Sequence, residues 1–463
     1  VSSTTGPLGP VPEAVPTEGG AASDRRVRAL PGRGASTQDA APGSTLAFVE
    51  SPVQLLNVLE WAYADALRAA EGTDALGASG STDPLGASES TDALRAPADT
   101  ADVVGTTNVA HADAPRVAAG DADGSGAPAG ARAGGDTGVG APGDLTVIVL
   151  SPHDPMTRGQ LRRMAELARE EGVRVRWEEA RGGASAPFRT ISGLASLLRA
   201  ARRIVIGDPF SRYVQLLLTM AKARDLIVVD DGTATMEFIS QLARGERLER
   251  WHRRGSRGAR DLVFAPVSAG ARRRLTPGQH RRVEVFSSMP VDPPPGVTVT
   301  SNTFAWTRSR FGPPKLTGGT DLVGTSLVET GVVDLERYVE AVTALTREHG
   351  ATRYFAHRKE ATDKLHRISV EVGLEIVRPD LPLELIARRG PIGRMILSFP
   401  STVVHTLPLA LAGTGIKVAV CDVDPAWLTS HASPRAQGFL SGVTGTARDV
   451  HRLPYAPASP SQP

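Results

Sequence analysis

Three short polar clusters carry residue types that can do chemistry, and each follows an apolar run that reads as a β-strand. The first is Asp230-Asp231-Gly232 in LIVVDDGTATMEF, directly after the run 226–229. Two adjacent carboxylates at a strand terminus can provide a general base with a neighbour that holds or tunes it. The glycine lets a backbone or ligand approach closely. The second is His357-Arg358 in ATRYFAHRKE, after 352–356. Both side chains can donate hydrogen bonds to an anionic leaving group, and Glu360 can orient one of them. The third lies in SFPSTVVHTLPLALAG, where the run 395–399 leads into a helical pattern near Ser401-Thr402. Two hydroxyls and free backbone N–H groups at a helix start suit a phosphate. Each cluster also has an ordinary structural reading: an acidic turn, a charged surface turn and a plain N-cap.

The elements that must position these clusters repeat one theme. An apolar run stops at Ser or Asp followed by Pro, and a helical pattern follows. It occurs at Ser51-Pro52, Ser151-Pro152, Asp208-Pro209 and Asp424-Pro425. Ser or Asp at the N-cap with Pro at the first helical position marks a strand-to-helix junction. Strands alternating with helices of 10 to 15 residues predict parallel sheets in an α/β protein. In such sheets ligands bind outside the carboxyl ends of the strands, where all three clusters fall.

Composition bounds the rest. The 463 residues include 48 Gly and 35 Pro, with the excess in the N-terminal third. Residues 1–43 and 452–463 read as disordered tails, and 72–143 as a low-complexity insertion. The insertion opens with a near-repeat, TDALGASGS, TDPLGASES and TDALRAPAD, starting at Thr73, Thr82 and Thr91. One Leu per nine residues is too little apolar surface to offset the cost of ordering the unit. An Arg-rich stretch at 244–282 precedes the strand-like VEVFSS, which begins at Val283. The domain boundary is therefore expected between 268 and 282. This gives an N-terminal α/β domain at 44–270 and a C-terminal one at 271–451.

Of 52 basic residues 47 are Arg, a bias that lowers the weight of any single arginine, and with 50 acidic residues the net charge is +2. That balance argues against a nucleic-acid partner. One cysteine, Cys421, excludes an internal disulfide and any cysteine-rich metal site, and it reads as inert core. No apolar run reaches the roughly 18 residues of a membrane span, and no signal peptide is visible. A cytoplasmic protein is expected. The stretch 244–282 is a candidate for peripheral contact with the inner membrane face, or for attracting a polyanionic acceptor. A solvated interdomain face explains it equally well.

In their order and spacing the three clusters resemble the motifs of the bacterial sialyltransferases and polysialyltransferases. Those families carry an acidic-acidic-Gly motif, a His-Pro motif and a Ser-Ser or Ser-Thr motif. VESPVQLLN, at 49–57, is similar to their first strand-loop-helix, so the likeness spans about 46–427. One departure stands out: Arg358 occupies the place of the family's proline. The resemblance implies a GT-B-like fold, two doubly wound α/β domains facing a cleft. It further implies inverting transfer of sialic acid, or a related nonulosonic acid, from a CMP-sugar to a surface-glycan acceptor. Asp231 would be the base, supported by Asp230, with His357, Ser401 and Thr402 on the departing phosphate. A monophosphate leaving group needs no metal when such donors hold it, and nothing resembles a metal-ligand motif such as HExxH. Arg358 and the turn Gly324-Thr325-Ser326 are further candidates on the donor side. Ser51, Gln54, His153 and Gly232 are candidates on the acceptor side, and His405 reads as structural. Two alternatives stay open: a GT-B transferase or epimerase using a UDP- or GDP-sugar, and a non-catalytic glycan-binding member of the fold.

Overall fold

Two all-parallel sheets form in chain order, each built outward from its first strand. The computed structural model describes residues 44–78, 144–180, 186–250, 259–432 and 434–453, all within one compact unit. The first sheet comprises β1 (Thr45–Val49), β2 (Leu145–Leu150), β3 (Arg174–Glu178), β4 (Arg203–Ile206), β5 (Asp225–Val229), β6 (Arg282–Ser287) and β7 (Val297–Ser301). Their spatial order is β3-β2-β1-β4-β5-β6-β7. The second sheet comprises β8 (Leu316–Val323), β9 (Ala351–Phe355), β10 (Glu375–Val377), β11 (Ile392–Ser398), β12 (Lys417–Cys421) and β13 (His451–Leu453), in the order β10-β9-β8-β11-β12-β13. In both, the chain runs out to one side and then returns to the other side of the first strand. That reversal leaves a topological switch point between β1 and β4, and another between β8 and β11. Two doubly wound α/β domains of this kind make a GT-B-like architecture.

The strands are near-continuous apolar runs because helices cover both faces. Alternate residues go to opposite sides. Phe48, Ile148, Ile206 and Val228 pack against Val214 and Leu217 of α4 (Arg212–Met220) and Phe238 of α5 (Ala234–Ala243). Ala47, Val147, Val205 and Ile227 pack against Leu55 and Leu59 of α1 (Pro52–Ala78) and Leu161 of α2 (Pro155–Glu170). In the second sheet, Leu322, Tyr354 and Leu397 face Tyr338 and Val342 of α8 (Leu335–His349).

The domain boundary differs from the sequence expectation. The composition change at 244–282 does not coincide with the change of sheet, because β6 pairs with β5 (Val228 opposite Val285) and β7 pairs with β6. VEVFSS is thus the sixth strand of the first domain. The chain crosses to the second domain only over the short helix α7 (Ala305–Arg310). Glu60 of α1 secures that crossing. Its carboxylate accepts from Trp306 N (2.9 Å), Thr307 N (2.9 Å) and Thr307 Oγ1 (2.6 Å). Burial pushes Glu60 up to about 7 against these hydrogen bonds.

Three smaller boundaries also move. α1 runs on to Ala78, so the start of the first repeat unit extends this helix beyond Gly72. β13 takes Arg452 and Leu453 from the expected tail by pairing with Val420 and Cys421. Asp208 is not the cap of α4; Ser211 is, accepting from Val214 N. Residues 1–43, the rest of the insertion and 454–463 lie outside the described residues. Among the described residues no helix is long and apolar enough to cross a membrane.

Candidate active site

The sequence clusters all leave strands at or beside the two switch points. Asp230 and Asp231 follow β5, next to β4. The two carboxylates have different surroundings. Asp230 is 1% exposed and accepts from Ser287 Oγ (2.6 Å), Ser288 N (2.6 Å) and Ser288 Oγ (2.8 Å). Burial raises its pKa, and these donors pull it back. Its carbonyl accepts from Asn57 Nδ2 at 2.9 Å. Asp230 is therefore locked in the wall and cannot meet a ligand.

Asp231 is partly open. Its Oδ2 meets Arg250 Nη2 at 3.1 Å, and the same nitrogen meets Asp208 Oδ2 at 2.7 Å. Asp231 Oδ1 makes no hydrogen bond among the described residues. Burial, then the neighbouring charge of Asp231, raises the pKa of Asp208. Burial works against the charge of Arg250, yet the two carboxylates hold its pKa above the ordinary value. Composition gave no reason to single out Asp208 or Arg250. The signal for Asp208 was present, since it closely follows β4 at the switch point.

On the second domain the His357 loop rests on a buried polar network. Glu360 (6% exposed) accepts from His357 N (2.6 Å) and Tyr354 Oη (2.6 Å), and pairs with Lys364 Nζ (2.7 Å). Lys364 also donates to Thr325 O (2.9 Å), and Tyr338 Oη lies 2.8 Å from Tyr354 Oη. Glu360 thus orients His357, as its position suggested, but through the backbone. His357 Nδ1 accepts from Lys359 N at 3.2 Å, so the neutral ring carries its proton on Nε2. Burial first, then the charges of Arg358, Lys359 and Lys364, pushes His357 down to about 4.

Ser401 and Thr402 end the loop after β11 and open α11 (Val403–Ala410). Ser401 Oγ lies 3.4 Å from Ser398 Oγ, and Thr402 makes no side-chain cap bond. Gly324 follows β8 on the other side of this switch point. A Cβ there would lie 2.3 Å from Glu360 Oε2 and 2.5 Å from Tyr354 Oη, so the position admits only glycine. Thr325 is buried in the same network, and Ser326 is half-buried at its edge.

Three observations bring the two edges together. Gly232 has φ +67°, and a Cβ on it would lie 2.7 Å from Thr402 Oγ1. Lys359, whose pKa is lowered by burial and then by Arg358 and Arg250, also feels the charge of Asp231. Asp154 is held low by hydrogen bonds from Thr157, with the charge of Arg358 adding to them. Next to it, His153 is exposed at the rim. Behind the cleft, Gln160 Nε2 donates to Pro379 O (2.7 Å), and Arg163 pairs with Asp380.

Ser51 and Gln54 are buried and bonded to each other and to the strand end. Ser51 Oγ accepts from Gln54 N (3.3 Å), and Gln54 Oε1 accepts from Glu50 N (2.7 Å). The Gln54 side chain packs where Gly207 leaves room, so this pair shapes the first switch point. His405 and Cys421 are buried. Among the described residues no group of three or more His, Cys, Asp or Glu is placed to hold a metal ion.

No protein-family model and no curated protein matches the chain. Solved structures do. The α/β-galactoside α-2,3-sialyltransferase of Photobacterium phosphoreum is 8% identical, with 66% of this chain and 90% of that one covered and a TM-score of 0.36. The GT-B domain of a Photobacterium damselae sialyltransferase is 10% identical over 67% and 92%, with a TM-score of 0.33. Os79 of O. sativa, solved with UDP, is 15% identical over 65% and 78%, with a TM-score of 0.31. At such identity the likeness concerns the course of the chain and not its chemistry.

Proposed function

We propose that the protein is an inverting glycosyltransferase that moves a sialic acid or related nonulosonic acid from its CMP derivative to a glycan acceptor. The observation that carries this reading is the meeting of Gly232 with Thr402, which sets an available carboxylate oxygen opposite a hydroxyl-lined helix start. Asp231 Oδ1 takes the proton of the acceptor hydroxyl while Arg250 holds Oδ2. The acceptor oxygen bonds to the anomeric carbon as the bond from that carbon to the phosphate oxygen breaks, and CMP leaves. Attack opposite the leaving group inverts the centre. The Nε2–H of neutral His357 donates a hydrogen bond to the phosphate, with Ser401 and Thr402 holding its other oxygens. A histidine with a pKa near 4 serves better as a hydrogen-bond donor than as a proton donor at neutral pH. Arg358 and Lys359 supply positive charge beside the same phosphate.

The test is thermal stabilisation of the full chain by CMP, UMP, UDP and GDP, because a ligand of the folded state raises its stability by mass action. CMP should raise the melting temperature more than the other three. A larger shift with UDP or GDP would replace the donor, and none with any nucleotide would leave a non-catalytic glycan binder as the better reading.

A further inference from the structure

Two adjoining cavities, of about 560 and 460 Å³, lie at the amino ends of β4, β5 and β6, the far edge of the first sheet from the cleft. β5 has five residues, which puts about 15 Å of strand between the two edges. The cavities share Lys222, Arg224, His280 and Arg281, and Arg202, Arg274 and Arg282 complete their basic lining. Their one carboxylate, Asp225, is already taken. Arg282 grips it with both arms of its guanidinium, at 2.6 and 3.0 Å.

Among the described residues no carboxylate balances the remaining cations. Arg281 donates twice to Thr276 O (2.8 and 2.6 Å), and Arg274 Nη2 donates to Ala223 O (2.6 Å). Carbonyls fix these side chains in place but leave their charge. Arg274 Nε is buried without a hydrogen-bond partner. Burial, then the charge of Arg281, lowers the pKa of Arg274, the mark of cations gathered without a counter-ion. Among the described residues the side chains of Arg202, Lys222 and Arg224 make no hydrogen bond or ion pair, and all three are exposed.

We propose that this basic recess is a second ligand site, separate from the cleft, which takes a phosphate-bearing anion. Guanidinium groups fixed in a concavity match phosphate oxygens in pairs, while Lys222 adds a mobile point charge. A free diphosphate and the headgroup of an anionic phospholipid share this chemistry.

The probe is inorganic pyrophosphate, titrated calorimetrically into the full chain. Arg202→Ala/Arg224→Ala should weaken its binding by about tenfold or more, as expected when two charge-assisted contacts go. Removing two exposed arginines elsewhere, Arg169→Ala/Arg347→Ala, should change it little. Equal loss in both double variants would mean diffuse attraction by net charge and would overturn the site. So would binding that survives in Arg202→Ala/Arg224→Ala and disappears in Ser401→Ala/Thr402→Val, since the cleft would then be the place of binding. No binding of pyrophosphate to the wild type also ends the proposal. Co-sedimentation with phosphatidylcholine vesicles, with and without phosphatidylglycerol, separates the sources. Binding to the anionic vesicles that pyrophosphate and the Arg202/Arg224 variant both abolish assigns the site to a lipid headgroup. Pyrophosphate binding without vesicle binding assigns it to a free phosphate compound.

Discussion

The two strand edges that face each other across the cleft are built in opposite ways. The edge of the first domain carries Asp208, Asp230 and Asp231, held by Arg250 and by serine hydroxyls. The edge of the second carries His357, Arg358, Lys359, Ser401 and Thr402, with the nearest carboxylate, Glu360, turned inward to Lys364. One edge gathers carboxylates, and the other gathers cations and hydrogen-bond donors. On the proposed function, edges of opposite character would divide the labour of group transfer, with a nucleophile activated on one side and a leaving group stabilised on the other.

The sharpest way to break that division is Asp231→Asn, which keeps shape but cannot accept a proton. Transfer should fall by roughly 10²–10⁴-fold, the worth of a positioned base, with CMP affinity unchanged. His357→Ala should behave differently, weakening CMP binding and turnover together by about 10-fold or more, because a hydrogen bond to a charged phosphate is lost in both ground and transition states. Turnover and CMP binding measured on both folded variants decide this. Equal loss of CMP affinity in the two would erase the distinction between the edges.

Next in size is Gly232→Ala, which tests whether the edges must touch. The residue sits at φ +67°, and its new methyl would lie 2.7 Å from Thr402 Oγ1. Strain of this kind costs on the order of 1–3 kcal/mol. Both stability and turnover should drop, and Thr402→Ser, which trims the threonine methyl but keeps the hydroxyl, should not rescue them. Unchanged stability in chemical denaturation would show that the contact relaxes freely.

The placement of every cluster at a strand end was legible in the sequence, because strand and helix alternate along it. What stayed hidden had a spatial cause. Arg250 lies 19 positions from Asp231 and 42 from Asp208, so no local pattern joins them. Ser287 and Ser288, which lock Asp230, sit in VEVFSS. Reading that strand as the start of the next domain put Asp230's partners in the wrong half. Arg-rich composition lies inside the first domain here and marks no boundary. The sheet ends where pairing ends, and pairing partners are long-range.

A smaller effect separates the cleft from the domain crossing by pH. His357, lowered from 6.5 to about 4, contributes stability that is present above 6.5 and lost as pH falls towards 4. Glu60, raised from 4.5 to about 7, does the reverse: its contribution is full below 4.5 and lost as pH rises through 7. Between 4.5 and 6.5 the two oppose each other. Glu60→Gln should therefore lose stability more steeply than wild type on acidification from pH 7 to 5, and His357→Asn less steeply, as read from melting temperatures. Parallel pH slopes in all three proteins would detach both groups from the balance.

The smallest effect expected is none at all, from a chelator. On the proposed function, the second edge would meet a monophosphate with Arg358, Lys359, the Nε2–H of His357 and the hydroxyls of Ser401 and Thr402, so the charge developing on the leaving group would already have counter-charges. The carboxylates that would otherwise hold a cation are taken on the first edge: Asp208 and one oxygen of Asp231 by Arg250, and Asp230 by three donors. A divalent ion placed there would have to displace Arg250 or unlock a buried wall residue. Turnover with a CMP-sugar should therefore be the same with EDTA as with added Mg²⁺ or Mn²⁺. An absolute requirement for either ion would mean that the leaving group carries more charge than this edge can balance, as a diphosphate does, and would move the donor from CMP-sugars to UDP- or GDP-sugars while leaving Asp231 as the base.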